Sequence, residues 1–456
     1  MNEKAVNDAQ ADVIYGLNDK PPVPESLFAA LQHLLAIFVG IITPPIIICG
    51  ALKVPLEAKA YVINMALFVS GLATFIQIRR IGPIGSGILS IQGTSFTFLG
   101  TIIAIGIGVQ ASGGDYRAAL ATIFGVCFVG AFVEMFFSRF ITHLRKFIPP
   151  LVSGIVVTMI GLSLIRVGIA DIGGGTWLKN NKPEFFATAG NLILAAIVLA
   201  IIIICNRSGN RFVRMGSIAI GLIVGYVIAS LMGMVPFARL AELSPFAPPI
   251  PFKYGFFGFD WGALIPIALL YLITTVESLG DLTATSLVSG EPIEGDVYMK
   301  RISGGIFGDG FNSALAAIFN SFPNTTFSQN NGVIQMTGVA SRHVGYYIAG
   351  MLALVGMFPI VGGIFSIIPA PVLGGATIIM FGTVAAAGVR IIASSKIDRR
   401  AILIMAVSFG AGLGVIMVPE ILSKMPKLIQ SIFGSAITTG GIAAIFMNLV
   451  LPQSKD

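Results

Sequence analysis

The sequence predicts an all-α polytopic membrane protein of about fourteen transmembrane segments, arranged as a 7+7 inverted repeat. Three observations lead there. Of 456 residues, 55% are hydrophobic and only 11% charged, where water-soluble chains carry roughly 25% charge. The apolar side chains recur in runs of about 20, the length of one bilayer crossing. The two halves of the chain also carry matching interruptions.

Residues 1–26 hold Glu3, Asp8, Asp12, Asp19 and Glu25 and lack the basic start of a cleaved signal peptide, so they read as a cytoplasmic tail. The first seven segments begin near Leu27, Ala58, Ile81, Ala118, Pro150, Phe186 and Phe212. The second seven begin near Ala263, Ser303, Asn324, Val344, Pro371, Ala401 and Ala436. An even count puts both termini on one side. With the N-terminus inside, sixteen Lys and Arg, including Arg79, Arg80, Arg139, Arg145, Lys146, Lys300, Arg301, Arg342, Arg400 and Lys455, fall in cytoplasmic connections against ten outside. Seven crossings per half is odd, so related halves must insert with opposite orientation. Ile148-Pro149-Pro150-Leu151-Val152-Ser153-Gly154 and Ile368-Pro369-Ala370-Pro371-Val372-Leu373-Gly374 open the fifth and twelfth segments. One residue of slip then aligns Met159 and Gly161 with Met380 and Gly382.

The net charge of +7 is topogenic, because the basic residues lie between apolar runs and form no stripe for nucleic acid. Cys49, Cys127 and Cys205 sit inside apolar runs without CxxC spacing, which disfavours both a disulfide framework and a metal site. Without HExxH, GxSxG or a Walker A Gly-Lys pair, neither an intramembrane enzyme nor an ATP-driven pump is indicated, and no cofactor is called for. A channel remains the rival from another class.

Two segments are poor helices. Gly82 to Phe96 in segment 3 and Ser321 to Gly332 opening segment 10 concentrate Gly and Pro, at about 1 and 3 kcal/mol per residue in a helix interior. Both should be interrupted by short extended stretches, which survive at membrane depth only where protein or a water-filled cavity satisfies the backbone. Interrupted segments at matching places in two halves point to a transporter's binding site. Half-helices after each break would aim N-terminal amides at a solute.

Segment 8 carries Glu277 and Asp281 one turn apart on one face, and segment 9 carries Asp309 among glycines. A carboxylate at the bilayer centre costs about 2.5 to 3.5 kcal/mol on insertion scales, and the apolar runs contain no base to offset it. Carriage of a cation explains the cost, with a proton as the natural candidate and sodium as the rival. Asp309 also reads as a brace for a helix break. His33, the one histidine inside an apolar run, reads equally as a proton relay or a structural residue. Glu134 reads as a snorkelling interfacial charge. Asn, Gln and Glu side chains suit the edge of a planar heterocycle, and Phe96 and Phe327 could cover its face.

Gln329-Asn330-Asn331-Gly332-Val333-Ile334-Gln335-Met336-Thr337-Gly338 resembles the signature of the nucleobase-ascorbate transporters, in which Gln, Glu or Pro precedes Asn-x-Gly-x4-Thr. The resemblance runs from Leu27 to Pro452 and includes Gly85-Ser86-Gly87-Ile88-Leu89-Ser90-Ile91-Gln92 and Glu277-Ser278-Leu279-Gly280-Asp281. It looks closest to bacterial xanthine permeases. The resemblance implies core and gate domains: core 27–138 (segments 1–4) and 263–368 (segments 8–11), gate 147–235 (segments 5–7) and 371–453 (segments 12–14). It implies a homodimer in the bacterial inner membrane, taking up xanthine, urate or another oxidised purine nucleobase with H+ by an elevator-like motion. By position, Glu277 is the main purine ligand and Gln329 the second contact, with Ser95, Phe96 and Asn330 completing the site. Asp281, Asp309, His33 and Gln92 support coupling. Uracil permeases of the family tend to have Glu at the Gln329 position and His at the Asp281 position, and this chain has neither.

Overall fold

The computed structural model describes residues 13–141, 149–393 and 395–451. Arg145, Lys146, Ile148 and Lys455, used in the charge and repeat readings, lie outside the described residues, as do residues 1–12 of the tail.

The chain folds into helices α1 (Val23–Ala51), α2 (Leu56–Arg79), α3 (Leu99–Ala111), α4 (Tyr116–Phe137), α5 (Pro150–Ile172), α6 (Ala189–Asn206) and α7 (Ser217–Leu231). The second half supplies α8 (Trp261–Val288), α9 (Gly295–Ile318), α10 (Gln329–Thr337), α11 (Arg342–Val355), α12 (Ala370–Ala393), α13 (Arg399–Met417) and α14 (Ala436–Val450). Many begin where a short polar side chain caps the first turn and satisfies an amide that has no intrahelical partner. Asp115 accepts from Ala118 N at 2.8 Å, Asp260 from Gly262 N at 2.8 Å and Asp398 from Ala401 N at 2.7 Å.

Among the described residues, eight helices are long and apolar enough to cross a membrane, or nine if the pair Arg342–Val355 and Pro359–Ser366, bent by 78°, is one span. Fourteen segments were expected, and several of the elements at the expected places are not simple spans. α3, α7 and α14 are short apolar helices, α10 is shorter still, and α9 carries Asp296, Lys300, Arg301 and Asp309. The two composition-poor segments contain strands as expected, β1 (Gln92–Thr94) and β2 (Asn324–Thr326).

Glycine lets the helices approach backbone to backbone, the close-packing device of membrane helices. α5 and α12 run antiparallel along their length: a Cβ at Gly161 would lie 2.3 Å from Ala385 N, and one at Gly374 would lie 2.3 Å from Ile172 N. α2 packs on α11 and α4 on α9, α6 on α7 and α13 on α14, and α6 on α12 and α5 on α13. Each of these pairings maps onto its companion when the segment number changes by seven.

Residues 13–19 of the N-terminal segment lie along the link between α10 and α11. Ile14 N and Tyr15 N donate to Gly338 O at 2.8 and 3.1 Å, and Ala340 N donates back to Tyr15 O at 2.9 Å. Ser341 Oγ donates to Asp19 O at 2.6 Å. The Tyr15 hydroxyl donates to Glu25 at 2.6 Å, and that bond holds its phenol above the usual range.

Candidate functional site

The two strands form one antiparallel pair, with Gln92 opposite Thr326, Gly93 opposite Thr325 and Thr94 opposite Asn324. All six residues are buried, so their outward amides need partners from protein. Side chains from α2 and α9 supply them: Gln92 N donates to Thr74 Oγ1 at 3.0 Å and Asn324 N to Ser313 Oγ at 3.0 Å. Ser95 N to Pro323 O at 2.8 Å and Phe327 N to Ile91 O at 3.0 Å extend the ladder at its two ends. Gly93 is required by space, since a Cβ there would stand 2.5 Å from the Phe327 ring and 2.9 Å from Ile41.

That contact corrects the expectation for Phe327. Its ring is buried against Gly93 and Gly40 behind the strands, so it wedges the ladder against α1 and does not cover a solute. Phe96 behaves differently. It is half-buried where β1 gives way to α3, and its ring meets Phe381 of α12 edge-on, with centroids 5.6 Å apart.

α8 presents Glu277 and Asp281 toward the strand pair, as their spacing of four requires. Thr97 Oγ1 donates to Glu277 Oε2 at 3.0 Å, and Thr326 Oγ1 reaches Asp281 Oδ2 at 3.4 Å. Both carboxylates are half-buried, and Gly280 between them borders open space, where an added Cβ would meet nothing within 4 Å. Gln329 opens α10 and is exposed, while Gly332 one turn on also borders open space. The strand ends thus meet the carboxylate face of α8, α10 is tied to the same helix through Asn331, and Phe96 meets α12.

The remaining residues fall behind this region. Asp309 is fully buried; Ser278 Oγ donates to it, as does Gln77 Nε2 at 3.1 Å. The Gln92 amide is buried beside Asp309. Asn330 is turned away from open space: it is fully buried, and its amide donates to Leu89 O at 2.5 Å. This places the signature Asn as a clamp between α10 and the loop before β1. His33 is fully buried next to Asn330, and neither ring nitrogen makes a hydrogen bond. Its neighbourhood is therefore the α1–α10 contact, apart from the carboxylates. Asn331 accepts from Thr285 Oγ1 at 2.6 Å, tying α10 to α8. Ser95 is buried, and its hydroxyl accepts from Thr97 N at 3.3 Å, which orders the turn carrying the Glu277 donor.

Among the described residues, no Lys or Arg pairs with Glu277, Asp281 or Asp309. Arg301, inside α9, is spent on Glu291 at 2.8 Å. Glu134 was expected at the interface but is 1% exposed on α4. Its position five residues from Arg139 suggested snorkelling, whereas the close approach of α4 to α9 at Gly310 turns it inward.

A family profile described as "Permease family" matches residues 24–421. The chain belongs to the xanthine/uracil permease family. It is a membrane permease and not an enzyme. The permease is 48% identical to "Xanthine permease XanP" of Escherichia coli (strain K12), over 98% of this chain and 96% of that protein. It is 45% identical to "Xanthine permease XanQ" of the same organism, over 98% and 95%. To "Uric acid permease PucJ" of Bacillus subtilis (strain 168) the identity is 33%, over 92% and 91%. In fold, the permease is similar to the transmembrane domain of a cyanobacterium bicarbonate transporter, BicA (TM-score 0.60, 18% identity, covering 91% of this chain and 99% of that one). It is likewise similar to the inward-facing murine anion transporter Slc26a9 (TM-score 0.63, 13% identity, covering 98% and 71%).

Proposed function

We propose that this permease takes up xanthine by proton symport, in a bacterial inner membrane with both termini cytoplasmic, and accepts urate or another oxidised purine less well. The single observation that carries the reading is that α8 sets two half-buried carboxylates against the buried strand pair, Glu277 held by Thr97 and Asp281 reached by Thr326, while exposed Gln329 opens α10 directly after β2. Xanthine offers adjacent N–H donors and carbonyl acceptors on its edges. A carboxylate can take two parallel N–H bonds, and a Gln amide can answer a donor and an acceptor together. Phe96 is placed to lie against the ring. Near-full-length identity to two xanthine permeases supports the substrate, and three acids without matching bases support a travelling cation.

The mechanism follows from the two sets of helices. The exchange of neighbours under a shift of seven supports a 7+7 inverted repeat of fourteen segments. A core of segments 1–4 and 8–11 carries both strands and every proposed ligand, and a gate of segments 5–7 and 12–14 is joined through the tight α5–α12 seam. In an elevator-like cycle the core moves past the gate of a homodimer, with Phe96 leaving or meeting Phe381. Asp281 and Asp309 hold or exchange the proton near Glu277, while His33, Gln92 and Asn330 brace the half-helix and the strands.

Competition of labelled xanthine uptake by a panel of purines and pyrimidines, in cells expressing the chain, tests the substrate. Xanthine should compete best and uracil hardly at all. Stronger competition by uracil would overturn the assignment.

A further inference from the structure

The polar groups packed behind the strands include one carboxyl with no role in the mechanism above. Both oxygens of Glu134 are buried without a hydrogen bond, on a side chain 1% exposed. Burial of an unpaired carboxylate is among the most costly arrangements in a protein, and this one lies within a helix long and apolar enough to cross a membrane.

The groups that face it come from three elements. From α9 comes Asp309, brought near by the contact of α9 with α4, in which a Cβ at Gly310 would lie 2.9 Å from Ala131 O and Met135 Cγ. From α8 come Glu277, the Thr274 hydroxyl, which donates to Tyr271 O at 3.1 Å and is also within reach of the Glu134 carboxyl, and the Tyr271 hydroxyl, which donates to Cys127 O at 3.0 Å. On its own chain Arg139 follows, but its guanidinium stacks over Phe307 at 5.1 Å. No base answers Glu134 among the described residues. Asp309 differs in having two donors, Ser278 and Gln77. Two carboxyls in one low-dielectric site, one supplied with two donors and the other with no more than a threonine hydroxyl shared with a carbonyl, divide into an ionised and a protonated member.

We propose that Glu134 is a proton-carrying residue of the transport cycle, sharing one proton with Asp309. With the proton on Glu134, the donors of Ser278 and Gln77 serve the Asp309 carboxylate. In the exchange the O–H bond on Glu134 breaks and one on Asp309 forms, so the pair keeps one negative charge. Release to the cytoplasm leaves the pair doubly charged, and that repulsion drives reloading. Glu134 stands one turn from the end of α4, on the side of the Arg139 connection.

This inference rests on the proton-symport reading, and uptake measured from mildly acidic to mildly alkaline pH separates the two. Wild-type uptake should rise as the outside is acidified, while Glu134→Gln should lose that dependence along with at least about tenfold in rate at acid pH. Glu134→Asp, which keeps a titratable group, should restore a pH-dependent profile displaced from that of the wild type. A wild-type pH profile in Glu134→Gln, whatever its absolute rate, overturns the proposal. Should that variant fail to reach the membrane, an undisplaced profile in Glu134→Asp overturns it. Wild-type uptake indifferent to pH would instead remove the coupling reading itself.

Discussion

In the proposed cycle, Glu277 is the residue on which substrate binding turns. Thr97 fixes one of its oxygens at 3.0 Å. Glu277→Gln keeps the volume but replaces an acceptor by a donor. Losing two charge-assisted bonds costs about 3 kcal/mol or more, so uptake should fall by roughly a hundredfold while membrane expression, followed by immunoblot, stays normal. Normal uptake would rule out an essential charge there. Gln329→Glu removes the amide donor and adds a second acid at the mouth of the site, so the competition profile should shift among purines; an unchanged profile would take Gln329 out of the site. The spacing of Glu277 and Asp281 made their common face legible from the sequence alone. The inward turn of Glu134 was not legible, because it depends on which helix meets α4. Phe327 was misplaced for a related reason: a residue after a strand faces either side, and only the vacancy left by Gly40 and Gly93 settles which.

At the scale of elements, composition located both strands because Gly and Pro make their segments poor helices, and the need to satisfy buried backbone then demands pairing. Spans were harder to delimit. The half-helix α10, the bent pair at α11 and polar α9 each break the rule that one crossing is one long apolar run. The α5–α12 seam tests the packing argument. Gly161 and Gly382 align in the two sequence halves, yet an added Cβ would clash at Gly161 and meet open space at Gly382. Gly161→Val should therefore cost about 1–3 kcal/mol of stability and lower the melting temperature of the purified protein in detergent. Gly382→Val should leave it nearly unchanged, and equal shifts would show that the seam is not packed as described.

For the whole molecule, the account requires the helices that carry the ligands to move against those that do not. Ile273 of α8 and Gly441 of α14 meet across that boundary, a Cβ at Gly441 lying 3.0 Å from Ile273 Cδ1. Cysteines at both positions joined by a short thiol cross-linker should stop transport, and reduction of a cleavable linker should restore it; undiminished transport by the linked protein would exclude relative motion there. The most direct test of the central claim, that buried acids couple a purine to a proton, is accumulation of labelled xanthine in proteoliposomes with an imposed proton gradient. A potential of 100 mV acting on one charge supplies about 2.3 kcal/mol, roughly a fiftyfold gradient. Accumulation toward that level, abolished by a protonophore and indifferent to sodium, is the expected result. Xanthine that merely equilibrates, or that accumulates only with sodium, would contradict it.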